Sequence, residues 1–425
     1  MKTSSRLPFW TSCLGNLFEH YDTALFSFLS PFLAPLMFPD QDPITALILT
    51  YAMIPLSMIA RPIGSLVFGY IGDTHGRRQA LFLTLAGMSF ASGCLALSPS
   101  FAQVGLFAPL LFCLVRVLQN FFAAGETMGG AIFLLEHSPT KKHDFLSGLY
   151  NSTTMGGHLL ASFAVFLLIQ YNVVDTGWRF LYLLGCITAL FGALIRRSPE
   201  FEPVSIPASQ SPMQLKSVLW THRKSLLAIA ICAGFGSSCY AVAIVLTSGL
   251  IPLISTITKA EIMKMNTYLL VFDFCMLPFF GWVASKISRE KLMLSAALTA
   301  VLLGVPLFLS LQEASLLTVL GARAVFVLIG VAFFAPFHAW ASALVPSQYR
   351  YVVISFGYAL GYQLLGSPTA ALALWCFQQT GMVASVAWYW MFLALASTLT
   401  VATVMRSSKS LKDREIRDLP KIFYS

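Results

Sequence analysis

A chain of 425 residues that is 57% hydrophobic and only 11% charged is no ordinary soluble enzyme, which carries roughly 25% charged residues. Its mean hydropathy is +0.75, and apolar runs of about 20 residues recur along nearly the whole length, as in a polytopic helical membrane protein. The formal charge of +9 sits in short loops between those runs, which argues for membrane topology and against a nucleic-acid partner.

In chain order the predicted spans are 9–36, 45–70, 80–97, 104–135, 145–169 and 178–195. After a polar stretch come 226–253, 263–285, 291–311, 316–345, 351–376 and 383–405. The expected fold is an all-α membrane protein, twelve transmembrane helices in two pseudo-symmetric six-helix bundles, 1–195 and 226–405. The segment 196–225 reads as a cytoplasmic linker, because SPEFEPVSIPASQSP is rich in proline and serine. Residues 406–425 read as a short basic cytoplasmic tail, either solvated or resting on the anionic inner leaflet.

Lys2 and Arg6 precede the first apolar run as they would in a signal peptide, but Glu19 and Asp22 interrupt it, so it reads as a retained helix. Of the 27 Lys and Arg residues, only Arg179, Lys259 and Lys264 fall in outer loops when the N-terminus is placed inside. Arg61, Arg116 and Arg323 fall within spans. Both termini are therefore expected to be cytoplasmic, in a plasma (inner) membrane. Eight cysteines lie singly with no C-x-x-C pair, so neither a disulfide nor a metal site is expected.

The stretch RPIGSLVFGYIGDTHGRR, Arg61 to Arg78, runs an apolar helix into a tight polar turn. Gly72 and Gly76 are read as supplying backbone angles that a side chain resists. GYIGDTHGRRQ (69–79) aligns with GWVASKISREK (281–291) at an offset of 212, keeping Gly69/Gly281 and Arg77/Arg289. Arg116 aligns with Arg323, and Pro139 with Pro346, at an offset of 207. These matches support two like-oriented halves, although the acid Asp73 has become Ser285 in the second.

The pattern G-x-x-x-D-x-x-G-R-R between the second and third spans resembles the signature loop of the major facilitator superfamily. GNLFEHYDTALFSF (15–28), RVLQNFFAAGETMGGAIFLLEHSPTKK (116–142), GWRFLYLLG (177–185) and RPIGSLVFG (61–69) are similar to its metabolite:proton symporter branch, whose members include proline/betaine, α-ketoglutarate and citrate transporters. The YDTA segment, Tyr21 to Ala24, also resembles the first helix of proton-coupled sugar porters in the same superfamily. Where the branch usually has an aromatic residue this chain has His20, and its tail is short compared with that of osmosensing members.

An ionised side chain at bilayer depth costs several kcal/mol or more, so each needs a partner or a water-filled cavity. Glu19 and Asp22 are three apart on one helical face, at the same depth as Arg116. We expect Arg116 to pair with one of them, Asp22 preferred, forming either a proton-coupling site or a static ion pair; the resemblance implies the coupling role. Gln119 is the uncharged candidate for a substrate hydrogen bond, with His20 and Tyr21 nearby. Arg61, Arg116 and Arg323 together give a positive cavity suited to a carboxylate. Asp273 is expected to pair with Arg323 or meet a cationic group on a zwitterion, and Glu126 either lines the inner cavity or pairs structurally. Gly69, Asp73, Gly76, Arg77, Arg78 and Glu136 are expected to form a gate at the inner surface.

The expected function is proton-coupled uptake of a small organic anion or zwitterion by alternating access. The proton gradient supplies the energy with no cofactor, the partners are the solute, protons and membrane lipids, and the monomer is the working unit. The sequence has no P-loop, H-E-x-x-H or G-x-S-x-G, and no enzymatic activity is expected. Efflux by antiport and a transport-inactive metabolite sensor are the alternatives.

Overall fold

The computed structural model describes residues 7–197, 214–312 and 314–418. In the first half lie α1 (Leu7–Met37), α2 (Pro43–Met58), α3 (Ala60–Thr74), α4 (Arg77–Ala96), the short α5 (Phe101–Val104), α6 (Phe107–Glu136), α7 (His143–Gln170) and α8 (Val174–Ile195). The second half opens with α9 (Leu215–Thr221), α10 (Arg223–Tyr240), α11 (Thr247–Ile254), α12 (Lys259–Ile287) and α13 (Arg289–Leu309). It closes with α14 (Leu316–Phe334), α15 (Phe337–Ala343), α16 (Arg350–Leu360), α17 (Thr369–Thr380) and α18 (Trp388–Asp418). Among the described residues nine helical stretches are long and apolar enough to cross a membrane. Packed among them are α1, which carries Glu19, His20 and Asp22; the α2–α3 pair; and the α16–α17 pair, joined by π-helical turns over Gly361–Gly366. The π turns free backbone groups from the regular ladder, as such turns commonly do at functional sites.

Two helical bundles result, each around its own apolar core. In the first, Leu25, Phe26, Leu29, Phe112 and Tyr182 are buried together; in the second, Phe235, Phe308, Phe326, Phe333 and Trp390 are. Side chains such as Phe90, Phe163, Phe180, Leu302 and Leu317 are exposed. That much exposed apolar surface is a liability in water and the rule in lipid.

Two boundaries differ from the sequence reading. Arg196, assigned to the linker, is completely buried against the first bundle, and the linker itself contains α9. The last helix does not stop at Met405 but continues to Asp418.

The internal repeat is visible in the backbone. Gly76 precedes α4 at φ 100° and ψ 147°, and Ser288, which follows at the same offset of 212, precedes α13 at φ 94° and ψ 139°. Glycine adopts this conformation freely, whereas a serine there is strained by about 1–3 kcal/mol. Gly72, by contrast, does not have a positive φ; a Cβ there would strike the Tyr351 ring, so its smallness serves packing and not a turn. Ser288 also caps α13 by accepting from Lys291 N, a contact whose loss to glycine costs only a few tenths of a kcal/mol. Ser288→Gly is therefore expected to raise stability by about 1 kcal/mol, read as a higher unfolding temperature in detergent; an unchanged or lower one would show that the turn is not strained.

Candidate functional site

Between the bundles lies a cavity of about 390 Å³. Arg61, Arg116, His20 and His158 reach it from the first bundle, and Asp273 and His338 from the second. Tyr150, Tyr240, Tyr358 and Tyr362 add aromatic walls. A cavity this size fits a small solute, with a few polar groups on an otherwise apolar lining.

The acids of α1 sit behind this surface in two hydrogen-bonded clusters. Asp22 is buried, and its Oδ2 accepts from Ser92 Oγ on α4 and from Gln119 Nε2 on α6. Gln119 turns its own Oε1 to the Arg116 guanidinium. Arg116 also donates to the Thr23 carbonyl over 3.4 Å and lies 4.8 Å from the centre of the Phe26 ring. The expected direct pairing of Asp22 with Arg116 is thus corrected to a bridged one. Gln119 is wholly buried between them and is a relay, not a lining residue. Among the described residues, Asp22 Oδ1 and Arg116 Nε have no hydrogen-bond partner.

Glu19 forms the second cluster. Thr127 Oγ1 donates to its Oε2 over 3.0 Å, and Arg61 Nη2 lies 3.5 Å from its Oε1. Arg61 is itself oriented by Asn120, whose Oδ1 accepts from Nε at 2.9 Å. His20 Nδ1 lies 3.0 Å from Glu19 Oε2 and 2.9 Å from the Asn16 carbonyl. Both neighbours are acceptors, which assigns a proton to Nδ1. The His20 ring lies 5.6 Å from that of His158, which gives the cavity wall a polar pair. Tyr21 points elsewhere: its hydroxyl donates to the Leu181 carbonyl and it does not reach the cavity.

Glu126, read as either lining the cavity or pairing structurally, and Arg323, expected at the cavity, are both structural. Glu126 is fully buried and takes a bidentate bond from Arg196, with Nη1 to Oε2 and Nη2 to Oε1 each 2.6 Å. Arg323 is fully buried, donating twice to the Ala243 carbonyl at 3.1 Å and once to Asn266 Oδ1. It neither lines the cavity nor meets Asp273. Among the described residues lining the cavity, the positive excess therefore comes from Arg61 and Arg116. Arg323 repeats the reach of Arg116 to a carbonyl of the first helix of its bundle, but neutral groups satisfy it.

At one end of the cavity the bundles are bound together. Asp73 Oδ1 and Oδ2 accept from the backbone N–H groups of Tyr351 and Val352, at 3.2 and 2.8 Å, so the carboxylate caps α16 across the bundle interface. Free N–H groups and the helix dipole make this a natural seat for an anion. Arg77 bonds Asp73, reaches Glu136 Oε2 at 3.2 Å, and donates to the Ser347 carbonyl at 2.7 Å. Glu136 in turn takes Arg350 at 3.0 Å. Gly69 allows the close approach: a Cβ there would lie 2.6 Å from the Val352 Cα. Arg78 is not part of this cluster; it donates to the carbonyls of Arg196 and Arg197 at the end of α8. Gly76 serves the turn alone.

The second copy of the loop is bound with its charges exchanged. Where Asp73 has become Ser285, the acid is supplied by Asp144 at the start of α7, and Arg289 of the loop pairs with it at 2.9 Å. Beside it Ser147 donates to the Ala335 carbonyl, and His338 Nε2 meets Asn151 Oδ1 at 2.9 Å. Asp73→Asn is expected to shift the balance between bound and parted ends by about tenfold toward parted, since removing a charged cap costs roughly 1–2 kcal/mol. Sided alkylation of a cysteine placed at Ser237 in the cavity reads this out. The rate from the Asp73 side should rise; an unchanged rate would mean that the cap does not hold the end shut.

Sequence reading missed Ser92, Asn120, Thr127, Asp144, Arg196 and Arg350. Part of the signal was present on α6, where Arg116, Gln119, Asn120, Ala123, Glu126 and Thr127 follow the three- and four-residue spacing of one helical face.

Two helical bundles, a central cavity, buried acids behind it and a cross-bundle latch at one end make up the architecture. The fold is that of the major facilitator superfamily. Residues 9–201 match the family model described as "Sugar (and other) transporter". The proton:xylose symporter XylE, solved with 6-bromo-6-deoxy-D-glucose, superposes with a TM-score of 0.72 at 15% identity, over 93% of this chain and 95% of that one. In sequence the chain is 27% identical to a putative proline/betaine transporter of Staphylococcus haemolyticus, over 97% of this chain and 90% of the relative. It is also 27% identical to the α-ketoglutarate permease of Escherichia coli K12, over 94% and 93%. The resemblance to proline/betaine and α-ketoglutarate transporters, first seen in short motifs, thus extends along nearly the whole chain.

Proposed function

We propose that the chain is a secondary active transporter that takes up a small carboxylate-bearing solute, an anion or a zwitterion, together with protons. The observation that carries this reading is the convergence of Arg61 and Arg116 on one cavity, each connected through hydrogen bonds to a buried acid of α1. A solute carboxylate entering the cavity meets two guanidinium groups suited to bind it. Arg116 is shared between that carboxylate and the Gln119–Asp22 relay, so protonating Asp22 releases Arg116 for the solute, and losing the proton draws it back. Solute and proton are thereby favoured together, as symport requires.

With residues 75–76 on the cytoplasmic side, the bound end is the inner one, and the conformation is one in which the solute enters from outside. Parting of the Asp73, Arg77 and Asp144 contacts then opens the inner side as the bundles rock. In this reading the protein is a monomer in the plasma (inner) membrane with both termini cytoplasmic, and the proton gradient is its energy source. The similarity to proline/betaine and α-ketoglutarate carriers supports a solute bearing a carboxylate.

Uptake into proteoliposomes tests this. A panel of 2-oxoglutarate, citrate, proline, glycine betaine, xylose and a lipophilic cation is offered with and without an inward proton gradient. Gradient-driven accumulation of a carboxylate-bearing solute is the expected result. A response to the lipophilic cation alone, or to xylose alone, would refute the proposal.

A further inference from the structure

Asp273 is a half-buried, cavity-facing acid that the coupling scheme leaves unused. It lies on α12 and lines the cavity from the second bundle. The backbone around it is fixed: the next carbonyl, that of Phe274, accepts from Ser152 Oγ of α7 at 2.8 Å, and the Phe274 ring packs at Gly156. The acids Glu19, Asp22, Asp73, Glu126, Glu136 and Asp144 each have a hydrogen-bonded or ion-paired partner. Asp273 has neither among the described residues, and Arg323, its expected partner, is bound to Ala243 and Asn266. Tyr240, Tyr358 and Tyr362 share its part of the cavity lining, while the cavity's two arginines belong to the other bundle.

We propose that Asp273 is a cation-recognising subsite, so that the transported solute is dipolar, with its carboxylate toward Arg61 and Arg116 and a cationic nitrogen toward Asp273 among the tyrosines. This rests on reading the cavity as the transport site for a carboxylate. The physical reason is charge balance. An acid facing a cavity at membrane depth needs an opposite charge or water, and the arginines that would supply one are committed elsewhere. A cationic nitrogen satisfies the carboxylate and stacks favourably on aromatic faces. A dipolar solute also contacts both bundles at once, which ties its binding to their approach.

The test uses two solutes of the same shape, glycine betaine and 3,3-dimethylbutanoate, in which a neutral carbon replaces the cationic nitrogen. A second pair is proline and cyclopentanecarboxylate. Transport and competition are measured for the whole protein in proteoliposomes. The wild type should prefer the dipolar member of a pair, and Asp273→Asn should weaken that member by roughly thirtyfold while sparing or improving its neutral-tailed analogue. Retained transport of the analogue shows that the variant is folded. Equal handling of both members, unaffected by Asp273→Asn, would overturn the subsite while leaving carboxylate transport standing. So would transport of 2-oxoglutarate alone. If Asp273→Asn abolishes gradient-driven accumulation of every solute and spares exchange, Asp273 is a proton carrier and the subsite is refuted. Failure of all carboxylate solutes would instead refute the function on which the inference rests.

Discussion

Asp22→Asn is expected to abolish proton-driven accumulation while solute exchange across the membrane continues. The geometry explains why these two activities should separate. Asp22 Oδ2 holds two hydrogen bonds, from Ser92 and Gln119, and asparagine retains an oxygen that can accept them. The scaffold of α1, α4 and α6 therefore stays intact. What asparagine lacks is the second ionisation state. Asp22 Oδ1, buried and without a hydrogen-bond partner among the described residues, is where the proton would be added. In the variant Arg116 is permanently in the state that protonation would produce, so solute binds and exchanges but no gradient is read. Accumulation should fall at least a hundredfold, to the level set by equilibration, and counterflow of labelled solute should persist. Concentrative uptake by the variant would remove Asp22 from the coupling role and turn attention to Glu19 with its His20 contact.

Glu126→Gln is expected to have an equally large effect of a different kind, on folding. The Glu126–Arg196 pair joins α6 to the end of α8, and Thr84 on α4 adds a bond to Oε2 at 3.2 Å. Arg196 also donates to the carbonyls of Leu81 and Thr11, at 2.9 and 3.1 Å, so one guanidinium ties four helices. Both side chains are fully buried. Removing the charge of one leaves the other unpaired, at a cost of about 3–5 kcal/mol, set against a typical total stability of about 5–15 kcal/mol. The variant should unfold at a markedly lower temperature and give little protein. Replacing both residues by methionine should recover much of the loss, because apolar groups of similar size leave no charge behind. A stable Glu126→Gln protein with altered solute selectivity would show instead that Glu126 acts on the cavity.

The membrane made much of this fold legible. Spans must be long, apolar and helical, and the predicted boundaries mostly fall within a few residues of the observed helices. Intramembrane charge is costly, so Glu19, Asp22, Arg61, Arg116 and Asp273 stood out against their apolar surroundings. Partner choice was not legible, because it depends on which helix faces which. Arg196 lies 70 residues from Glu126 and reads as a loop cation among Arg197 and the prolines that follow. Gln119 was correctly seen on the face of Arg116, but its length and amide let it bridge to Asp22 instead of facing solute. Symmetry also misled: Arg323 repeats Arg116 in position and backbone contact, yet its amide partner Asn266 leads on to no acid among the described residues. The latch was half visible. Asp73 and Arg77 announced it, but its acceptor is the backbone of α16, which leaves no mark in the side-chain pattern.

Solute-evoked proton entry is the measurement that bears most directly on the central claim. Proteoliposomes carrying a pH-sensitive dye inside would receive a carboxylate-bearing solute outside, without any imposed gradient. The lumen should acidify as the solute enters, and Asp22→Asn should take up solute with no acidification. Solute entry with an unchanged or alkaline lumen in the wild type would contradict proton symport.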